Sequence, residues 1–205
     1  MGLYTDRILP PIVDRVLGTG EVAKHRSHVV PEAEGTVLEL GFGTGPNLAH
    51  YRPEAVTEVL VVEPATGARR RAEERARDFP RPVRWVGLDG EHIDLDDASV
   101  DAVVCTFTLC TIPDAAAALR EAHRVLRPGG RLHYLEHGRH PDPRTATRQR
   151  RIEPVWRRVA GGCHLTRDPH DLVRAAGFAE HEVRHHTLSG PAIATYLYEG
   201  SAPRP

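Results

Sequence analysis

The chain lacks the features that mark several large classes of protein. It has three cysteines, an odd number that gives no basis for a disulfide framework. Cys105 and Cys110 stand far from Cys163, and Cys163-His164 has no second pair at ligand spacing. No metal site is therefore expected, and the thiols are expected to be reduced in a cytoplasmic protein. No stretch approaches the roughly 20 apolar residues of a membrane span, and the N-terminus lacks a signal-peptide core. The formal net charge of -1 gives no reason to expect nucleic acid or an acidic membrane as partner. What remains is an ordinary soluble composition, 40% hydrophobic and 27% charged, over 205 residues, for which one domain is the default. The 13 histidines would make the chain more cationic below about pH 6.5.

The pattern that organises the chain is Val37-Leu38-Glu39-Leu40-Gly41-Phe42-Gly43-Thr44-Gly45-Pro46-Asn47. A short apolar run bounded by glycines predicts a buried parallel strand. Three glycines in five positions then let the backbone turn sharply and lie against a ligand, before a helix expected over 47–51. The dinucleotide fingerprint G-x-G-x-x-G requires its third glycine where this chain has Pro46, which argues against a nicotinamide dehydrogenase.

A second apolar run, residues 58–62, ends in Glu63-Pro64, and a carboxylate there can accept from both hydroxyls of a ribose; an exposed strand-end acid is the plainer alternative. Residues 67–78 alternate Arg and Glu, the pattern of a solvated helix with i,i+4 pairs. A third strand over 83–86 leads to Asp89-Gly90-Glu91, where the acid serves a turn or a ligand. The fourth strand begins at Asp101 and runs toward Thr106-Phe107-Thr108-Leu109-Cys110. Ligands of open α/β sheets bind beyond the carboxyl ends of strands, so Thr108, Leu109 and Cys110 belong near the chemistry. Cys105 reads as core and Cys110 as a small pocket wall. A helix over 113–126 is stopped by Arg127-Pro128-Gly129-Gly130, which turns into a fifth strand ending at Glu136.

ELGFGTG, VVEP, SVDAVVCTFTLC and RVLRPGG, in this order and spacing, resemble the class I methyltransferases that use S-adenosylmethionine (SAM). CTFTLC, RVLRPGG, YLEHG and GGCHLTRD are similar, in the same order, to the membrane-anchored thiol methyltransferases of the methyltransferase-like group, over roughly residues 4 to 200. This chain shows no apolar N-terminal anchor like theirs. The resemblance implies an α/β fold, a Rossmann-like seven-stranded sandwich, with a helical arm over 1–30 and a helical lid inserted at 139–162. It implies SAM as cofactor, leaving as S-adenosylhomocysteine, and a small-molecule acceptor, with a thiol or sulfide as the leading candidate. An oxygen, nitrogen or carbon acceptor, or a SAM sensor without turnover, are the alternatives.

The same resemblance implies cofactor contacts from Glu39, Gly41, Phe42, Gly43, Gly45 and Asn47 in the loop, and from Glu63 and Pro64 after the second strand. Asp89, Gly90 and Glu91 fall at the adenine position, with Thr106 and Thr108 after the fourth strand. Leu109, Cys110, His137 and Trp156 are then the acceptor side. His137, at the end of the fifth strand, is a candidate base or a residue that merely lines the pocket. In the helix expected over 142–160, Ile152, Val155, Trp156 and Val159 form an apolar stripe expected to roof the pocket, with Trp156 inward. Ile8, Leu9, Ile12, Val13, Val16 and Leu17 recur at helical spacing in the arm, which packs on the sheet or covers the ligand. The last two strands, over 181–188 and 193–198, are expected as a hairpin, with His185-His186 at the surface and the tail from Ser201 frayed.

Overall fold

The computed structural model describes Arg15 and residues 17–205. Ile8, Leu9, Ile12, Val13 and Val16 of the expected arm lie outside the described residues. Helix α1 (Gly20–Val29) precedes the sheet and is capped by Thr19 Oγ1, which accepts from Val22 N.

Seven strands form one sheet: β1 (Gly35–Leu40), β2 (Val56–Val62), β3 (Val83–Gly87), β4 (Val100–Thr106), β5 (Leu126–His137), β6 (Val183–Thr187) and β7 (Tyr196–Pro203). Their order is β3-β2-β1-β4-β5-β7-β6. The first five run parallel, and β7 is antiparallel to both β5 and β6. The apolar runs are continuous because both faces are covered. Leu38, Leu40, Leu60, Val62, Val103 and Cys105 pack toward helix α3 (Ala115–Val125). Val37, Val59, Val61, Ala102 and Val104 face the opposite way, onto a layer that includes Ala72 of helix α2 (Thr66–Asp78). Period-two alternation decides which face a residue takes, and burial on both faces removes the polar alternation from the sequence.

The chain leaves β1 toward one edge and β4 toward the other, so the crevice between their carboxyl ends is the switch point at which such sheets bind ligands. The Arg-Pro-Gly-Gly turn bulges out of the ladder. Leu126 pairs with Val100 and Arg131 with Ala102, with Gly129 at φ +81°.

Three expectations need correction. The helix after the glycine loop is a single 3-10 turn, Pro46–Ala49, entered from Gly45 in the left-handed region at φ 78°. The tail is not frayed: β7 continues to Pro203, Ala202 is fully buried, and Arg204 N donates to Gly130 O at 2.8 Å. Helix α4 (Pro143–Val159) also turns the other way from its apolar stripe. Ile152, Val155 and Val159 are exposed, while Gln149 is fully buried, donating to Gly138 O and Ile193 O and accepting from His140 N. Three otherwise unpaired backbone groups outweigh an apolar stripe here, since an orphaned buried polar group costs about 1–3 kcal/mol. Among the described residues no helix is long and apolar enough to cross a membrane.

Candidate functional site

At the switch point lies a cavity of about 790 Å³. The glycine loop forms its floor. Gly41, Gly43 and Gly45 have φ of 72°, 56° and 78°, a region that L side chains occupy at a cost. The first two glycines have different jobs. A Cβ on Gly41 would overlap the Thr108 side chain, whereas one on Gly43 would meet no atom and would occupy free space over the loop. Gly41→Ala is therefore expected to destabilise the fold by about 3 kcal/mol, from overpacking plus backbone strain. Gly43→Ala should cost only about 1 kcal/mol of fold while blocking a ligand that lies on the loop. Thermal melts with and without SAM separate the two. Gly41→Ala should melt well below the parent protein, and Gly43→Ala close to it but without a SAM-induced rise. A normal SAM-induced rise in Gly43→Ala would show that the cofactor does not lie on this backbone.

Glu63, just past β2, stands in the wall, nine-tenths buried. Its Oε2 accepts from Gly43 N at 2.7 Å and its Oε1 from Ala65 N at 2.8 Å. Burial pushes its carboxyl above the usual range, and the two amides pull it back. Each oxygen keeps capacity for one more donor. Arg75 of α2, in a helix read from sequence as merely solvated, braces the loop from outside by donating to Thr44 O and Oγ1 at 2.9 and 3.0 Å. Across the mouth, Leu88, Asp89, Gly90 and Glu91 line the cavity. Asp89 Oδ1 accepts from Glu91 N at 2.8 Å, an Asx turn that shapes the segment, and the Glu91 side chain in turn accepts from Asp114 N.

Glu39 and Asn47 are not on the cavity wall. They belong to a buried polar network behind the loop. Asn47 Nδ2 donates to Glu39 Oε1 at 2.9 Å and Tyr51 Oη to Glu39 Oε2 at 2.7 Å. Burial raises the Glu39 carboxyl to about 7, against the Tyr51 bond and the Arg26 charge. Gly45 likewise sets the turn rather than the wall. The network reaches the cavity through Arg26, which the sequence reading did not single out. Its Nη1 donates to Asn47 Oδ1 at 2.5 Å and to Thr106 Oγ1 at 2.6 Å, and its guanidinium stands 5.3 Å from the Phe107 ring centroid. Arg26 is 3% exposed, yet it lines the cavity with Thr106, Phe107 and Thr108. The signal was present: Val22, Arg26 and Val29 are the buried face of α1, at spacings of four and three.

Beyond β4 the backbone turns at Phe107, a non-glycine residue at φ 54°. Glu136 of β5 holds the turn, its Oε1 accepting from Thr108 N at 2.7 Å and Leu109 N at 3.1 Å. Burial raises its carboxyl, partly offset by those amides. Arg167 ties the same segment from the other side, donating to Leu109 O, Ile112 O and Pro113 O. Thr111, Ile112, Pro113, Ala160 and Gly161 complete the wall.

Leu109, Cys110, His137 and Trp156 sit behind this wall instead of on it. His137 Nε2 lies 3.0 Å from Cys163 Sγ, and Trp156 Nε1 donates to the same sulfur at 3.2 Å. The Cys163 thiol is drawn down to about 4 by the Cys110 hydrogen bond, and, against burial, by His137 and Trp156. Burial opposes protonation of His137, but its bond and attraction to Cys163 leave it raised. In sequence Cys163-His164 shows no metal-ligand spacing, because His137 and Cys110 lie 26 and 53 residues from Cys163.

A family model described as a methyltransferase domain matches residues 38–134. The chain is 38% identical over 154 residues to thiol S-methyltransferase TMT1B of Rattus norvegicus, covering 72% of this chain and 61% of that protein. It is 33% identical over 177 residues to thiol S-methyltransferase TMT1A of Homo sapiens, covering 82% of this chain and 70% of the relative. Phosphoethanolamine N-methyltransferase 2 of Haemonchus contortus, solved with SAM, superposes with a TM-score of 0.75 over 98% of this chain and 59% of its own, at 14% identity, which shows the shared fold.

Proposed function

Because the chain belongs to the SAM-dependent methyltransferases, we propose that it methylates a small thiol at the crevice between β1 and β4. The observation that carries this reading is the 33% identity to a thiol S-methyltransferase across 82% of this chain. The cavity's residues suit the cofactor. Gly43 offers bare backbone beside open space, and Glu63 keeps an accepting position on each oxygen. Glu63 would take the ribose hydroxyls, and Asp89 to Glu91 with Leu88 the adenine. Arg26 would bring the buried positive charge that a methionine carboxylate requires.

SAM, when bound, supplies a methyl group already activated on a sulfonium. The chain's own task is placement, which can contribute about 7–11 kcal/mol when the reacting groups are well oriented. Thr108, held by Gly41 and Glu136, and Phe107, held under Arg26, fix the end of the cavity next to the acceptor side. A thiol of pKa about 8.5 is already a few per cent thiolate near pH 7, so strong general-base help is less needed than for a hydroxyl. That agrees with the engagement of His137 by Cys163.

Formation of S-adenosylhomocysteine, measured with an alkyl thiol, an aryl thiol, and matched phenol, amine and quinol controls, tests the proposal. Turnover is expected with the thiols at more than ten times the rate of any control. Preference for the phenol, amine or quinol would move the acceptor to oxygen, nitrogen or carbon. Tight SAM binding without turnover of any acceptor would favour a sensor.

A further inference from the structure

Two of the chain's three cysteines converge on one histidine. Cys110 comes from the loop after β4, His137 ends β5, and Cys163 sits in the turn after α4. All three are buried, and one ligand atom from each lies within 4.8 Å of the other two. Bonds that do not involve these side chains tie the three segments: Leu109 N, beside Cys110, donates to Oε1 of Glu136, beside His137, at 3.1 Å. His164 N donates to Cys110 O at 2.8 Å, and Thr166 N to Glu153 Oε2 of α4 at 2.9 Å. The sulfur and nitrogen atoms are therefore held in place by the fold.

This is the donor set of a thiophilic ion. Zinc binds thiolate at about 2.3 Å and imidazole at about 2.0 Å, so neighbouring ligands of a tetrahedral ion stand roughly 3.5–4 Å apart. Trp156 Nε1 already donates to Cys163 Sγ, the outer bond that orients a ligating sulfur. Neither sulfur lies on the cofactor cavity's wall, yet the next residue after Cys110, Thr111, does.

We propose that Cys110, His137 and Cys163 form a zinc site of three protein ligands whose fourth position receives the acceptor's thiolate. The ion binds as two protons leave for solvent, one from the Cys110 thiol and one shared between Cys163 Sγ and His137 Nε2, so that all three ligand atoms are free of protons. A thiol acceptor then displaces the water in the fourth position, its proton passing to solvent, and is held as thiolate beside the wall formed by Thr108 and Thr111. The fourth-ligand half rests on the thiol reading given above; the three-ligand half does not.

Cobalt(II) is the probe. Full-length protein stripped with a chelator is titrated with cobalt and followed by absorption. One equivalent is expected, with the intense visible bands of a tetrahedral ion, a thiolate-to-cobalt band in the near ultraviolet, and loss of both on adding zinc. Cys110→Ser and Cys163→Ser should each lose about half of the thiolate band, while Cys105→Ser keeps it. SAM titration of each variant verifies that it is folded. An alkyl thiol should strengthen the thiolate band and the matching alcohol should not. Absence of a stoichiometric cobalt band in protein that still binds SAM overturns the site. A band indifferent to thiol overturns the open position. Undiminished thiol turnover by metal-free protein would overturn the ion's role while leaving the thiol reading intact.

Discussion

Replacing Glu63 by Ala is expected to weaken SAM binding at least about 100-fold while leaving the apo protein's melting temperature within a few degrees of the parent. The carboxylate stands just past the end of β2, so no strand pairing depends on it. Its two oxygens hold Gly43 N and Ala65 N, one each. Removing it would take away the acceptor proposed for two ribose hydroxyls and release the Gly43 amide of the glycine loop. Hydrogen bonds to a charged group are worth about 1.5–3 kcal/mol each, so two of them amount to two orders of magnitude or more in affinity.

Glu63→Gln separates a hydrogen-bonding role from a merely steric one. The amide keeps one accepting oxygen but points an NH2 at either Gly43 N–H or Ala65 N–H. It should therefore behave nearly as badly as alanine, although its shape is preserved. Isothermal titration with SAM reads both variants. Affinities within threefold of the parent would mean that the carboxylate serves the loop and not the ribose.

The sheet and its loop were legible because each leaves a local mark. A strand buried on both faces reads as an unbroken apolar run, as in Val59-Leu60-Val61-Val62, and a backbone that must take positive φ reads as glycine. What was hidden depends on distant segments. The segment from Ser201 reads as a frayed tail beyond the last expected strand, yet β7 runs from Tyr196 to Pro203 between β5 and β6. Gly200 is required because a Cβ there would press on the Tyr134 ring at 2.6 Å. Glu199 is buried because Arg184 Nη2 and His25 Nδ1 reach it from β6 and α1, at 2.6 and 3.3 Å. Helix α4 misled for a similar reason. An apolar stripe usually marks the inward face, but the groups waiting beneath were the carbonyls of Gly138 and Ile193 and the amide of His140. The cluster of Cys110, His137 and Cys163 left no periodicity at all.

Glu136 carries the other large effect, and here the fold itself should suffer. Its side chain is fully buried, and Oε1 accepts from two consecutive amides of the turn at Phe107. Glu136→Leu would leave Thr108 N–H and Leu109 N–H without an acceptor in a place water does not reach. Each such group costs about 1–3 kcal/mol, so a loss of about 4 kcal/mol is expected, with failure of SAM binding because Phe107 and Thr108 line the cavity. Glu136→Gln tests whether charge or acceptor matters. Burial raises this carboxyl against the pull of the two amides, and a glutamine whose Oε1 faces them keeps the acceptor and removes the charge. The glutamine variant should remain within about 1 kcal/mol of the parent in denaturant unfolding and bind SAM normally. If it fails as badly as leucine, the negative charge is needed. Oε2, which has no hydrogen-bond partner among the described residues, would then be facing a cation. If leucine itself is tolerated, the turn at Phe107 is held by Arg167 from the other side, and Glu136 does not position the site.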